Sequence, residues 1–227
     1  MAENRILQQF GSFVDFVHSG FKYNLQVFPD TLTAATLLFA LLFQSPPFAT
    51  LGGSILALNV IYPFIANFLT SFIGGTSGRS DSCSGRFPGI SITRMVKTAS
   101  DKKFGALSND WPSYYTVFLG FLTAYAAMMP YIYRKELDAS PKRNIATIVG
   151  LVVMALILLI GLVYRIFSSC DTVFSSLLGC VVGLILGLLF VVILAYLSER
   201  RLTNILSLPL IRDKTTDGKP IYVCERT

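Results

Sequence analysis

The chain has 227 residues, of which 53% are hydrophobic and 14% charged, and a formal net charge of +6. Ordinary soluble chains carry about 25% charged residues, and here long stretches carry none, so a soluble globular protein is excluded and an integral membrane protein is indicated. The basic excess lies between apolar runs, where it meets lipid headgroups, and does not interleave with aromatic residues, so a nucleic-acid surface is excluded too.

Residues 1–28 place Ile6, Leu7, Phe10, Phe13, Val14, Phe16, Val17 and Phe21 on one broad helical face. That spacing predicts an N-terminal amphipathic helix lying in the membrane interface. A spanning helix there would have to bury Asp15, His18 and Lys22. The opening residues lack a compact apolar run with a small-residue cleavage site, so insertion is expected to rely on the internal helices.

Residues 29–198 are expected to form an all-α, polytopic membrane bundle of about five transmembrane helices. The spans fall at about 32–43, 48–73, 113–133, 145–167 and 172–197. The first is short and is ended by Pro46-Pro47; in the second, Asn59 and Asn67 share a face that is expected to point into the bundle. A Gly- and Ser-rich polar loop covers 74–112, and a charged connector, RKELDASPKRN, separates the third and fourth spans. Gly179, Gly183 and Gly187 in the fifth span form a small-xxx-small series, the pattern of close helix packing. Residues 199–227 are expected to be a soluble tail with a turn at KTTDGKP. Basic residues divide almost evenly between the two membrane faces, so charge assigns no orientation.

Three clusters then share one face by topology alone. The polar loop carries Arg79 and, six residues further on, Arg86 before Phe87-Pro88; the third span opens on Pro112-Ser113-Tyr114-Tyr115; and the fifth follows Tyr164-Arg165 and Asp171. Arginines beside a helix N-terminus suit a phosphate, because guanidinium forks pair with its oxygens and the first-turn N–H groups point at an anion. Cys83 and Cys170 share this face as well. A disulfide between them is conceivable on that ground, but it would require an oxidising compartment, so two free thiols are expected.

In order and spacing these clusters resemble the motifs of the type 2 phosphatidic acid phosphatase superfamily: K-x6-R-P, then P-S-G-H, then S-R-x5-H-x3-D. Arg79-x6-Arg86 is similar to the first, with Arg for Lys and the proline one residue late at Pro88; Pro112-Ser113-Tyr114-Tyr115 is similar to the second; and Tyr164-Arg165-x5-Asp171-x3-Ser175 has the spacing of the third. The size of the chain, and the second-span stretch LALNVIYPFIANFL, look like the dolichyl-diphosphatase branch. The resemblance covers roughly residues 30–200. It implies a phosphate-binding set of Arg79, Arg86, Ser113 and Arg165.

The departures fall on the chemistry. Where the family has its nucleophilic histidine, this chain has Asp171. Tyr115 replaces the histidine that protonates the leaving group, and Ser175 replaces the orienting aspartate. The sole histidine, His18, is far away in sequence. An imidazole nucleophile and a near-neutral general acid are what this mechanism needs, so no catalytic residue is assigned. No cofactor or metal is expected either: the cysteines are scattered, and no second carboxylate stands near Asp171. The expected function is a non-catalytic binder of lipid phosphate or pyrophosphate headgroups, anionic or isoprenoid, in a multi-pass membrane protein. Two alternatives stand beside it. One is a structural scaffold, such as a virion or organelle membrane component, that holds protein partners through its loops and tail. The other is an active phosphatase in which Asp171 forms an acyl-phosphate.

Overall fold

The computed structural model describes residues 20, 23, 27–73, 111–139, 141–197, 200–205, 211–214 and 220–222. Almost all of residues 1–26, and the whole of 74–110 with Arg79 and Arg86, lie outside the described residues. The chain forms an all-α bundle. Its helices are α1 (Val27–Leu42), α2 (Pro46–Ile73), α3 (Tyr114–Ile132), α4 (Arg134–Asp138), α5 (Pro141–Phe167) and α6 (Val173–Leu197). A 3-10 turn at Arg200–Thr203 follows, and two short antiparallel strands, β1 (Ile211–Lys214) and β2 (Pro220–Tyr222), pair Lys214 with Pro220.

Among the described residues four helices, α2, α3, α5 and α6, are long and apolar enough to cross a membrane. The first expected span is shorter than the others. The described part of α1, Val27–Leu42, covers less than the roughly 30 Å hydrocarbon layer at about 1.5 Å per residue. It begins before Leu32, because Val27, Phe28 and Leu32 already pack inward. Pro46 and Pro47 do more than end it. They form the first turn of α2, where a missing N–H costs nothing, after a reversal in which Gln44 takes φ 45°. The charged connector is also largely helical: α4 is a short helix, and α5 starts at Pro141, taking Lys142 and Arg143 into its first turn.

The core is built around α3. Of its apolar window, 61% is buried, against 6% for α5. Val117, Phe118, Phe121, Leu122, Tyr125 and Met129 on α3 meet Ile55, Leu58, Tyr62 and Ala66 on α2 and Val191 on α6. The α3–α6 contact is tight because the glycine series faces it. A Cβ at Gly183 would overlap the Val117 carbonyl, and one at Gly179 would lie 2.8 Å from the Ser113 carbonyl. Gly120 on α3 answers from the other side, 2.5 Å from the Cys180 carbonyl at its Cβ position. Gly179, Gly183 and Gly187 meet Ser113, Val117 and Phe121 in rising order, so α3 and α6 run parallel and both start on one face. Glycine is what lets two backbones approach this closely, as at small-xxx-small interfaces in membranes.

On the opposite face the chain after α6 docks onto the bundle. Thr203 is fully buried and shares a 2.7 Å hydrogen bond with Tyr133. The Thr50 hydroxyl donates to the Leu202 carbonyl. The start of the tail is thus fastened to α2 and to the end of α3.

Candidate functional site

The site is a polar corner where α5 turns into α6 against the start of α3. α5 ends in a Schellman motif. Cys170 N–H donates to the Arg165 carbonyl at 3.1 Å, and Ser169 N–H donates to the Ile166 carbonyl at 3.1 Å. Ser169 occupies the left-handed position of that motif with φ 52°, where glycine is usual. Three residues after Ser169, Thr172 caps α6, accepting from Ser175 N–H at 3.2 Å through its hydroxyl. Cys170 and Asp171 lie between the two caps, and the reversal brings the Asp171 carboxylate back to Arg165 at the end of α5.

That carboxylate is held by two donors. Arg165 Nε and the Ser113 hydroxyl both reach Asp171 Oδ2, each at 2.6 Å. The ion pair is largely withdrawn from solvent, with both side chains 10% exposed. The Arg165 guanidinium also stands over the Tyr115 ring, 5.3 Å from its centroid, a cation–π distance. Ser175 turns its hydroxyl to Ser113, accepting the backbone N–H at 3.0 Å. This satisfies one of the orphan N–H groups at the head of α3.

Ser113 therefore sits at the cap position of α3 without capping it through its own side chain. A Ser at this position ordinarily caps a helix through its hydroxyl. The hydroxyl is drawn away because an ionised acceptor makes a stronger bond than the helix's own amides. The entry of α3 is steadied instead from α2. Tyr62 OH donates to the Pro112 carbonyl at 2.6 Å, and Tyr114 OH donates to Asn59 Oδ1 at 2.5 Å. Asn59 is buried and donates to the Ile55 carbonyl; Asn67 is half-buried.

Of the seven positions singled out in the sequence, Ser113, Tyr115, Arg165, Asp171 and Ser175 meet in this corner. Arg79 and Arg86 lie outside the described residues. Thr172 was not foreseen, although a Thr immediately before an apolar run is an N-cap signal. The expectation of free thiols is corrected at Cys170, which is disulfide-bonded. Composition holds no record of the redox compartment, and only the fold shows that this cysteine is fixed at the buried end of the α5 cap. Cys180 is a free, buried thiol in α6.

Chemically the corner is an ion pair whose shared carboxylate oxygen also accepts from a hydroxyl. A carboxylate oxygen that accepts from both a guanidinium and a hydroxyl is a weak nucleophile, because its lone pairs are engaged. Among the described residues no group of three or more His, Cys, Asp or Glu side chains is placed to hold a metal ion. Comparisons with protein-family models, curated proteins and solved structures find no match to this chain.

Proposed function

We propose that this protein is a non-catalytic, structural multi-pass membrane protein, and that its polar corner is a latch joining α3, α5 and α6. The observation that carries this reading is the 2.6 Å contact between Arg165 Nε and Asp171 Oδ2. At the position where the resemblance implies an arginine holding a phosphate, the arginine holds a carboxylate of its own chain. Asp171 supplies the anion internally. An external phosphate would have to displace it and would meet its negative charge, a like-charge encounter in a poorly screened site. The scaffold would then act through its loops and tail, whose first turn is anchored on the bundle.

A second reading is favoured by one feature. The N-termini of α3 and α6 start side by side next to Arg165, and helix N-termini attract anions. In that reading a lipid phosphate or pyrophosphate headgroup replaces Asp171 as the partner of Arg165.

One experiment separates the readings. Purified protein in mild detergent is heated with and without phosphatidic acid or farnesyl pyrophosphate, and inorganic phosphate is assayed in parallel. The structural reading expects no ligand-dependent shift in the thermal midpoint, no phosphate release, and a lowered midpoint for Arg165→Ala. Saturable stabilisation by the lipid that Arg165→Ala removes would replace it with the binding reading. Phosphate release that Asp171→Asn abolishes would show an enzyme.

A further inference from the structure

We infer that the exposed Arg134, Lys135, Lys142 and Arg143 form a binding surface for anionic lipid headgroups, on the membrane face opposite the Arg165–Asp171 corner. This surface stands whichever reading of that corner holds.

The four side chains border one short connector. Arg134 and Lys135 open α4, Lys142 and Arg143 stand in the first turn of α5, and all four are exposed. The connector's own acids do not balance them. Glu136 is buried, and Asp138 is the one exposed carboxylate between the two basic pairs. The start of the tail brings further basic positions to the same face. Tyr133, which directly precedes Arg134, shares its hydrogen bond with Thr203, and the turn that ends in Thr203 begins with Arg200 and Arg201.

The height of these cations decides the partner. The exposed apolar wall of α5 begins at Ile145, which is 64% exposed, and continues through Ile148, Val149 and Val152. In a bilayer such a wall faces hydrocarbon. At about 1.5 Å per residue, Lys142 and Arg143 then stand within about 5 Å of the hydrocarbon edge along the helix. Tyr131, 76% exposed near the end of α3, marks the same level from the neighbouring helix, as aromatic rings do at headgroup depth. Cations at this height meet the phosphate layer before they meet a soluble partner, and Lys and Arg clustered directly beside a membrane helix attract anionic lipid. Local charge points the same way. The start of a helix is the positive end of its dipole and favours acidic side chains. The first turn of α5 has no acid and carries Lys142 and Arg143 instead, a conflict that an anion from outside the chain relieves.

The test uses the full-length protein in phosphatidylcholine bilayers and reads, by electron spin resonance, which spin-labelled lipid sits at the protein boundary. Labelled phosphatidylserine is expected to be enriched several-fold over labelled phosphatidylcholine. The enrichment is expected to fall at about 1 M salt, where screening shortens to about 3 Å. Arg134→Gln, Lys135→Gln, Lys142→Gln and Arg143→Gln together are expected to abolish it, and Lys135→Gln with Lys142→Gln is expected to reduce it. The lysine pair decides the matter if the fourfold variant does not fold. Equal boundary occupancy by the two lipids in the parent protein overturns the inference. Enrichment that persists unchanged in the lysine pair overturns it as well, because the lipid is then held elsewhere.

Discussion

Ser113 and Asp171 lie 58 positions apart in the chain, and their side chains meet at 2.6 Å. The bond ties the head of one membrane helix to the turn between two others. Because Asp171 also takes Arg165, one carboxylate oxygen joins three helices. The first prediction tests that dependence. Breaking a withdrawn ion pair from one side leaves an uncompensated charge, at a cost of about 3–5 kcal/mol. Arg165→Ala is expected to lower the thermal midpoint in detergent strongly. The pair Arg165→Met with Asp171→Leu is expected to lower it less than Arg165→Ala does, because no lone charge remains. A double variant weaker than the single would show that the pair itself, and not the stranded charge, dominates.

The glycine face of α6 makes a sharper stability prediction. Gly183→Ala inserts a methyl group where the Val117 carbonyl already sits, and overpacking of this kind costs about 1–3 kcal/mol. Gly150 on α5 has nothing within 4 Å of its Cβ position. Gly150→Ala is therefore expected to be neutral or to stabilise the helix by up to about 1 kcal/mol. Equal losses at the two sites in thermal unfolding would contradict the parallel, close-packed α3–α6 contact.

Ser169 holds a left-handed backbone, with φ 52°, that glycine adopts without a Cβ penalty. Ser169→Gly is expected to raise the thermal midpoint, by up to about 1 kcal/mol in stability. Ser169→Val, with a branched side chain in the same position, is expected to lower it. A loss with glycine would mean that the Schellman geometry at the end of α5 is not what holds this turn.

On the other face, Thr203→Val removes the hydroxyl that pairs with Tyr133. The loss of a buried hydrogen bond costs about 1–3 kcal/mol, and here it is expected to appear locally. Limited trypsin digestion is expected to cut at Arg200 or Arg201 faster in the variant than in the parent, while the bundle fragment stays intact. Unchanged cutting would show that Thr203 does not hold the start of the tail.

The bundle was legible because a bilayer imposes a length on each apolar run, and the four long runs are close to twenty residues or more. The grouping of Ser113, Tyr115, Arg165, Asp171 and Ser175 was legible for a different reason: counting crossings fixes which helix ends share a face. What spacing does not encode is who bonds whom. The sequence places Arg165 and Asp171 close together, and only the paired caps of Ser169 and Thr172 turn the carboxylate back onto the arginine. The helix at Val27–Thr31, ahead of the expected span at 32–43, carried no clear signal because these residues are mixed in character; Val27 and Phe28 pack inward on the bundle. The docking of Thr203 was invisible because a single threonine in a polar segment carries no periodic signal.

α5 leans on its neighbours along a narrow line. Thr147, Gly161 and Arg165 are its buried residues, while Val149, Leu156, Leu159 and Val163 look outward. Most of its apolar wall is therefore left uncovered by the rest of the described chain, and in a bilayer hydrocarbon would finish it. Lateral pressure from the surrounding lipid becomes part of what keeps this helix upright, and a short-chain detergent that cannot replace it would peel α5 away from the side while the pairing of α3 with α6 survives.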